Sequence, residues 1–192
     1  LILGVGILAA AGCFLALRPP VCSTIPASDL RQRAASALDT SFLEAVRKGD
    51  LAEVKERLKA GADIHARDEF GQSALHVVKD VRVAQFLLSQ GADVNLRDKD
   101  FLMTPLFSKE VPIAKLLVAA GADVNARSNK GNTPLIWYSY SSYLDGIKYL
   151  LSAGADINAR NDDGQNALDV AEHFADKRTV EFLRARMQQE KK

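Results

Sequence analysis

Apolar positions follow two different regimes along the chain. From Leu1 to Leu17 every residue is apolar or small, and Arg18-Pro19-Pro20 ends the run. From Asp39 onward apolar residues come in short groups spaced three and four apart: Val54 and Leu58; Val83, Phe86 and Leu87; Ile113, Leu116 and Leu117; Ile147, Leu150 and Leu151. That spacing puts each group on one face of a helix and predicts a buried stripe. A glycine follows every group, Gly61, Gly91, Gly121 and Gly154. It predicts the helix stop, because glycine enters the left-handed conformation that other residues resist.

The glycines open a heptapeptide written four times: Gly61-Ala62-Asp63-Ile64-His65-Ala66-Arg67, Gly91-Ala92-Asp93-Val94-Asn95-Leu96-Arg97, Gly121-Ala122-Asp123-Val124-Asn125-Ala126-Arg127 and Gly154-Ala155-Asp156-Ile157-Asn158-Ala159-Arg160. They stand 30, 30 and 33 residues apart. A fixed period of that size predicts a solenoid, whose units are too small to bury their own apolar face and must stack on neighbours. Between heptapeptides a second element recurs: Gln72-Ser73-Ala74-Leu75-His76, Met103-Thr104-Pro105-Leu106-Phe107, Asn132-Thr133-Pro134-Leu135-Ile136 and Gln165-Asn166-Ala167-Leu168-Asp169. Thr104 and Thr133 are suited to cap a helix N-terminus, and the proline after each suits the first helical position, where its missing N–H is harmless. Turns are expected at Asp68 to Gly71, Ser128 to Gly131 and Asn161 to Gly164.

The two motifs in fixed alternation resemble the ankyrin repeat, over roughly residues 39–186. The resemblance implies an all-α solenoid with short β-hairpin turns, in about five helix-pair units near 39–67, 68–97, 98–127, 128–160 and 161–186, then a charged tail over 187–192. It also implies that His76 is the family's structural histidine, bonding backbone in the next turn. Three departures stand out. The second and third units span 30 residues where the family has about 33, so their first helices should be about a turn shorter, a form similar to many bacterial ankyrin proteins. The third unit loses its turn glycine and reads Asp100-Phe101-Leu102-Met103. The fourth writes Trp137-Tyr138-Ser139-Tyr140-Ser141-Ser142-Tyr143 where the family mostly has small and charged residues.

Composition narrows the function. With 25 basic and 24 acidic side chains nothing concentrates the charge that displaces phosphate counterions, so no nucleic-acid partner is expected. The two cysteines, Cys13 and Cys22, precede the repeats and exclude a disulfide framework or a Cys-based zinc site. His65, His76 and His173 share no metal-ligand spacing, and the recurring Asp63, Asp93, Asp123 and Asp156 lie in the capping turns. No phosphate loop, Gly-x-Ser-x-Gly or His-Glu-x-x-His is written. No catalytic, cofactor-binding or metal site is expected.

The N-terminal run sits between a secretory core of about 7 to 15 residues and a spanning helix of roughly 17 to 25. Residues 1–23 therefore read as a signal peptide or a membrane anchor, with cleavage after Ser23 meeting the small-residue rule. Leu8-Ala9-Ala10-Ala11-Gly12-Cys13 also resembles a bacterial lipoprotein box, which makes Cys13 a lipidation candidate, although the apolar run continues through Phe14 to Leu17. Residues 24–38 read as a linker in which Ser28-Asp29 starts a short helix through Ala37.

Function is expected in binding. The family holds other proteins on the concave surface made by hairpin tips and first helices. Side chains that spoil the repeat's own consensus are the contact candidates: Phe70, Phe101 and Leu102 near the tips, and Trp137, Tyr140 and Tyr143 on or after a first helix. The expectation is an exported, periplasmic or membrane-anchored, monomeric binding protein with a protein partner, an immunity protein, adaptor or scaffold. The alternatives are a eukaryotic membrane-anchored signalling scaffold facing the cytosol and a ligand-binding or enzymatic protein using the cleft.

Overall fold

The computed structural model describes residues 27–108 and 110–190. The 1–23 segment, with Cys13, lies outside them. Among the described residues nine α-helices and one 3-10 turn follow in order: α1 (Ala27–Lys48), α2 (Leu51–Lys59), α3 (Ala74–Val77), α4 (Val81–Ser89), the turn Pro105–Ser108, α5 (Val111–Ala119), α6 (Pro134–Tyr140), α7 (Leu144–Ser152), α8 (Ala167–Phe174) and α9 (Lys177–Gln189). They form two rows. α1, α3, the 3-10 turn, α6 and α8 pack side by side as the first helices, while α2, α4, α5 and α7 make the second row and α9 packs on α8. None of these described helices is long and apolar enough to cross a membrane.

One boundary differs from the sequence reading. Instead of a linker with a helix ending at Ala37, a single helix of 22 residues runs from Ala27 into the first unit. No glycine or proline stands between Ala27 and Lys48 to stop it.

Helix ends follow the glycines. At Gly61 the glycine N–H bonds to Leu58 O at 3.1 Å and the Ala62 N–H to Arg57 O at 3.0 Å, a Schellman pair that recurs at Gly91, Gly121 and Gly154. A Cβ on any of these four would meet nothing within 4 Å, so it is their φ of +84° to +99° that requires glycine. Helix starts are capped by Asp50, Asp80, Thr133, Asn166 and Asp176. The cap expected at Thr104 is not made. The third unit winds into a 3-10 turn in which Phe107 N–H bonds to the main-chain oxygen of Thr104 at 3.1 Å, leaving the Thr104 hydroxyl buried without a partner.

The turns close as expected, for instance Gly71 N–H to Asp68 O at 2.9 Å and Gly131 N–H to Ser128 O at 3.0 Å. The hairpins carry one isolated bridge, Arg67 to Ser73, and no ladder among the described residues. Each hairpin makes one bond across its own limbs, such as Asp68 N–H to Gln72 O at 3.1 Å, and other backbone groups bond sideways to the next unit: Lys99 N–H to Phe70 O at 3.0 Å, Asn129 N–H to Phe101 O at 2.8 Å and Asp162 N–H to Lys130 O at 3.1 Å.

The heptapeptide supplies the rest of the stitching. Asn95 donates to Gly121 O at 3.1 Å and accepts from Asp123 N–H at 2.9 Å; Asn125 does the same with Gly154 O at 3.2 Å and Asp156 N–H at 2.9 Å. The arginines form a second row. Arg67 reaches Arg97 O at 2.7 Å, Arg97 reaches Arg127 O at 2.7 Å and Arg127 reaches Arg160 O at 3.0 Å. Arg160, the last of the row, turns to Gly164 O and Asp169 within its own unit.

Val54, Val83, Leu87, Ile113, Leu117, Ile147 and Leu150 are fully or almost fully buried, as the spacing predicts. Leu58, Phe86, Leu116 and Leu151 are only partly buried and pack on the rim of the core. On the outer face of the second row the lysine six residues before one glycine covers the aromatic of the next unit. Lys55 sits 5.3 Å from the Phe86 ring, Lys115 6.0 Å from Tyr149 and Lys148 5.6 Å from Phe182. The corresponding pair between the second and third units is Gln85 and Leu116. Gln85→Lys with Leu116→Tyr should complete the row, and a double-mutant cycle in urea unfolding should give a favourable coupling of about 0.5–1 kcal/mol. A coupling of zero would show that the three existing contacts add nothing to the stack.

Candidate functional site

The shortened units govern what the fourth unit does. α3 has 4 residues and the 3-10 turn has 4, against 7 in α6 and 8 in α8. A missing helical turn leaves backbone groups and space unfilled in the third unit. Two tyrosines of the fourth unit fill both. Tyr138 is buried and its hydroxyl donates to Leu106 O at 2.9 Å. The Tyr143 hydroxyl accepts the Val111 N–H at 3.0 Å, at a helix start where Glu110 gives no side-chain cap. The two rings lie 5.5 Å apart. They press on α7 so closely that a Cβ on Gly146 would come within 2.5 Å of each ring.

Trp137 and Tyr140 are arranged differently. Both are partly buried, and their rings meet edge to face at 6.1 Å. Tyr140 continues the row to Phe174 at 5.2 Å, and Phe174 is 62% exposed, more than any other large apolar side chain described. The structure thus brings Trp137 and Tyr140 together, adds Phe174, and turns Tyr143 into the stack. The sequence reading missed Phe174. Its signal was a large aromatic at the polar end of α8, two residues before the Asp176 cap.

At the tips, Phe70 is 51%, Phe101 49% and Leu102 42% exposed. Tips two, three and four abut through the sideways backbone bonds, so these side chains stand on neighbouring units. Leu102 occupies the place of the lost turn glycine and has φ +53°, a left-handed conformation costly for a branched side chain. Asp98 holds the tip by accepting the Phe101 and Met103 N–H groups at 3.0 and 3.1 Å.

The remaining polar candidates are committed to the framework. His76 Nδ1 accepts from the Ser73 N–H at 3.0 Å, which fixes the proton on Nε2, where it is donated to Met103 O at 3.0 Å in the next unit. Asp63, Asp93, Asp123 and Asp156 each accept the N–H two residues on, at 2.8 to 2.9 Å. Carboxylates with lowered pKa are helix caps: Asp80 is held down first by the Arg82 guanidinium and then by the Val83 N–H, and Asp176 by the Thr179 N–H. Among the described residues no group of three His, Cys, Asp or Glu side chains is placed to hold a metal ion. A recess of about 580 Å³ beside the shortened helices is lined by Arg47, His76, Lys79, Glu110 and Ile113, with charges of both signs and no convergent set.

Compared with protein families, the chain matches the model for "Ankyrin repeats (3 copies)" over residues 42–128, 78–161 and 108–191. The chain belongs to the ankyrin-repeat family. No curated protein matches it. Ankyrin repeats are generally protein–protein interaction modules and typically non-catalytic. In an ankyrin array the hairpin tips and first helices make the recognition side, and Phe70, Phe101, Leu102, Trp137, Tyr140 and Phe174 are all on those two elements.

Two substitutions separate framework from exposed surface in this ankyrin array. Tyr143→Phe should lower stability by about 1 kcal/mol in urea unfolding, since it leaves the Val111 N–H without its acceptor. Leu102→Gly should raise stability by about 1 kcal/mol by relieving the left-handed residue. A loss of stability there would mean that the Leu102 side chain is part of the packing.

Proposed function

We propose that this protein binds a partner protein through the ankyrin face that carries the Trp137–Tyr140–Phe174 row and the Phe70, Phe101 and Leu102 tips, and performs no catalysis. The observation behind the reading is the division within one heptad of aromatics. The Tyr138 and Tyr143 side chains have structural bonds to make, whereas the side chains of Trp137 and Tyr140 make no hydrogen bond among the described residues, and Phe174 is held out in solvent. Aromatic side chains that a partner covers fully dominate interface energetics, at about 2 kcal/mol or more each. The strained Leu102 points the same way, because a stack selected for stability alone would keep glycine there.

In this reading the protein works in a bacterial cell envelope, exported or anchored, with an immunity, adaptor or scaffold role; the apolar run from Leu1 to Leu17 supports export or anchoring. Lipid on Cys13 is one form of the anchor.

Trp137→Ala with Tyr140→Ala should abolish capture of the partner from a lysate while circular dichroism still reports a folded repeat array, with a lower urea midpoint because both rings also pack on the core. Undiminished capture by a folded double variant would refute the aromatic contact. Metabolic labelling with a palmitate analogue should label the protein and fail on Cys13→Ser; labelling indifferent to that change would refute the lipid anchor.

A further inference from the structure

Three of the Gly-Ala-Asp turns are held by a side chain from earlier in the chain. Asp63 N–H donates to Asp39 at 2.9 Å, Asp123 N–H to Asn95 at 2.9 Å and Asp156 N–H to Asn125 at 2.9 Å. The turn Gly91-Ala92-Asp93 is not held, because His65 stands where the other units have asparagine, and neither Asp93 N–H nor Gly91 O has a partner among the described residues. An imidazole puts one nitrogen at the distance where a carboxamide puts both a donor and an acceptor. The backbone there is ordinary: His65 N–H bonds to Asp63 at 2.9 Å, just as Asn125 N–H bonds to Asp123 at 2.9 Å. Only the side chain is missing from the row.

The rest of that seam is thinly tied. Beyond the hairpin that joins them, the described residues link the first unit to the second by the side-chain bonds of two arginines, Arg47 to Asp68 and Arg67 to Arg97 O at 2.7 Å. The Arg47 side chain is 41% exposed, so solvent and salt weaken its pair. No main-chain bond of the Lys99–Phe70 kind crosses here among the described residues. Packing is open as well, with a recess of about 500 Å³ between α1, from Ser36 to Arg47, and the Arg67 to Phe70 tip. Apolar burial is what closes the seam, through Phe42, Val46 and Val54.

The other end of the stack is built differently. Asn161 donates to Asn132 at 3.0 Å in a buried pair, Asp162 N–H bonds to Lys130 O at 3.1 Å and Asp176 N–H to the Ser142 hydroxyl at 3.0 Å. Each terminal unit has a single neighbour. A difference between the two ends therefore reports on their seams.

We propose that the first unit is a hinged cap, in which α1 and α2 detach together from the four units that follow while those stay folded, with the Arg47–Asp68 pair as the latch. Opening takes away the α1 wall of the recess beside Phe70 and bares Leu75 and Val83 on the second unit. α1 runs unbroken from Ala27 into the seam, so a force or contact at its start acts on this joint first. The cap does not depend on the partner-binding reading; together with it, a contact at the Phe70 tip becomes conditional on closure.

Native-state hydrogen exchange on the full chain, read by mass spectrometry, tests the cap. Amides of α2 should exchange about tenfold or more faster than those of α8. His65→Asn, which supplies the missing carboxamide, should slow α2 by about fivefold and leave α8 unchanged. Arg47→Met, which keeps the stem and removes the latch, should speed α2 severalfold and again leave α8 unchanged.

Equal exchange of α2 and α8 in the parent overturns the proposal. So does α2 exchange that ignores either substitution, since the fast end would then be ordinary fraying. Equal shifts of α2 and α8 in the variants would show one cooperative array and overturn it too.

Discussion

No unit of this chain can satisfy its own polar groups, and the stack exists because each one completes the next. Asn95 and Asn125 hold the Gly-Ala-Asp turn of the following unit from both sides, while Arg67, Arg97 and Arg127 each bond the carbonyl of the next arginine. Side-chain donors and acceptors repeated at one period do for a solenoid what a ladder does for a sheet. Hydrophobic burial supplies the driving force and these bonds set the register. Where one member is missing, the row shows it: His65 stands in the place of asparagine, and no bond from its side chain to the next turn is made among the described residues.

The same dependence explains the odd fourth unit. Shortening the third unit's first helix to a 3-10 turn exposes a carbonyl at Leu106 and an amide at Val111. Both are answered from the neighbouring unit, by tyrosines that occupy the volume the lost turn vacates. A defect in one unit is thereby carried by an insertion of aromatic mass in the next. The Trp137 and Tyr140 side chains make no such bond among the described residues, and the proposed partner contact is put there for that reason.

Much of this was legible in the sequence. The period, the glycine stops, the capping residues and the short first helices follow from spacing and from the conformational limits of glycine and proline, which are local properties. What spacing could not reveal was the partner of each side chain across units. Tyr138 stands where the repeat packs a small residue, but Trp137, Tyr140 and Tyr143 look alike in the sequence. Only their placement against a truncated neighbour separates the one that bonds inward from the two that do not. Thr104 failed as a cap because its helix collapsed to a tighter turn, a tertiary outcome that its motif does not encode. The run of α1 through the expected linker shows the opposite error, in which polar composition concealed an unbroken helix.

Amide hydrogen exchange on the full chain is the most direct test of stacking by mutual completion. The amides of Lys99, Asn129 and Asp162, which sit at exposed tips and bond only to the preceding unit, should be protected to nearly the same degree as the buried helices beside them. Exchange of those three amides at the rate of a free peptide, with the helices still protected, would show that the units fold without completing one another and would contradict the account.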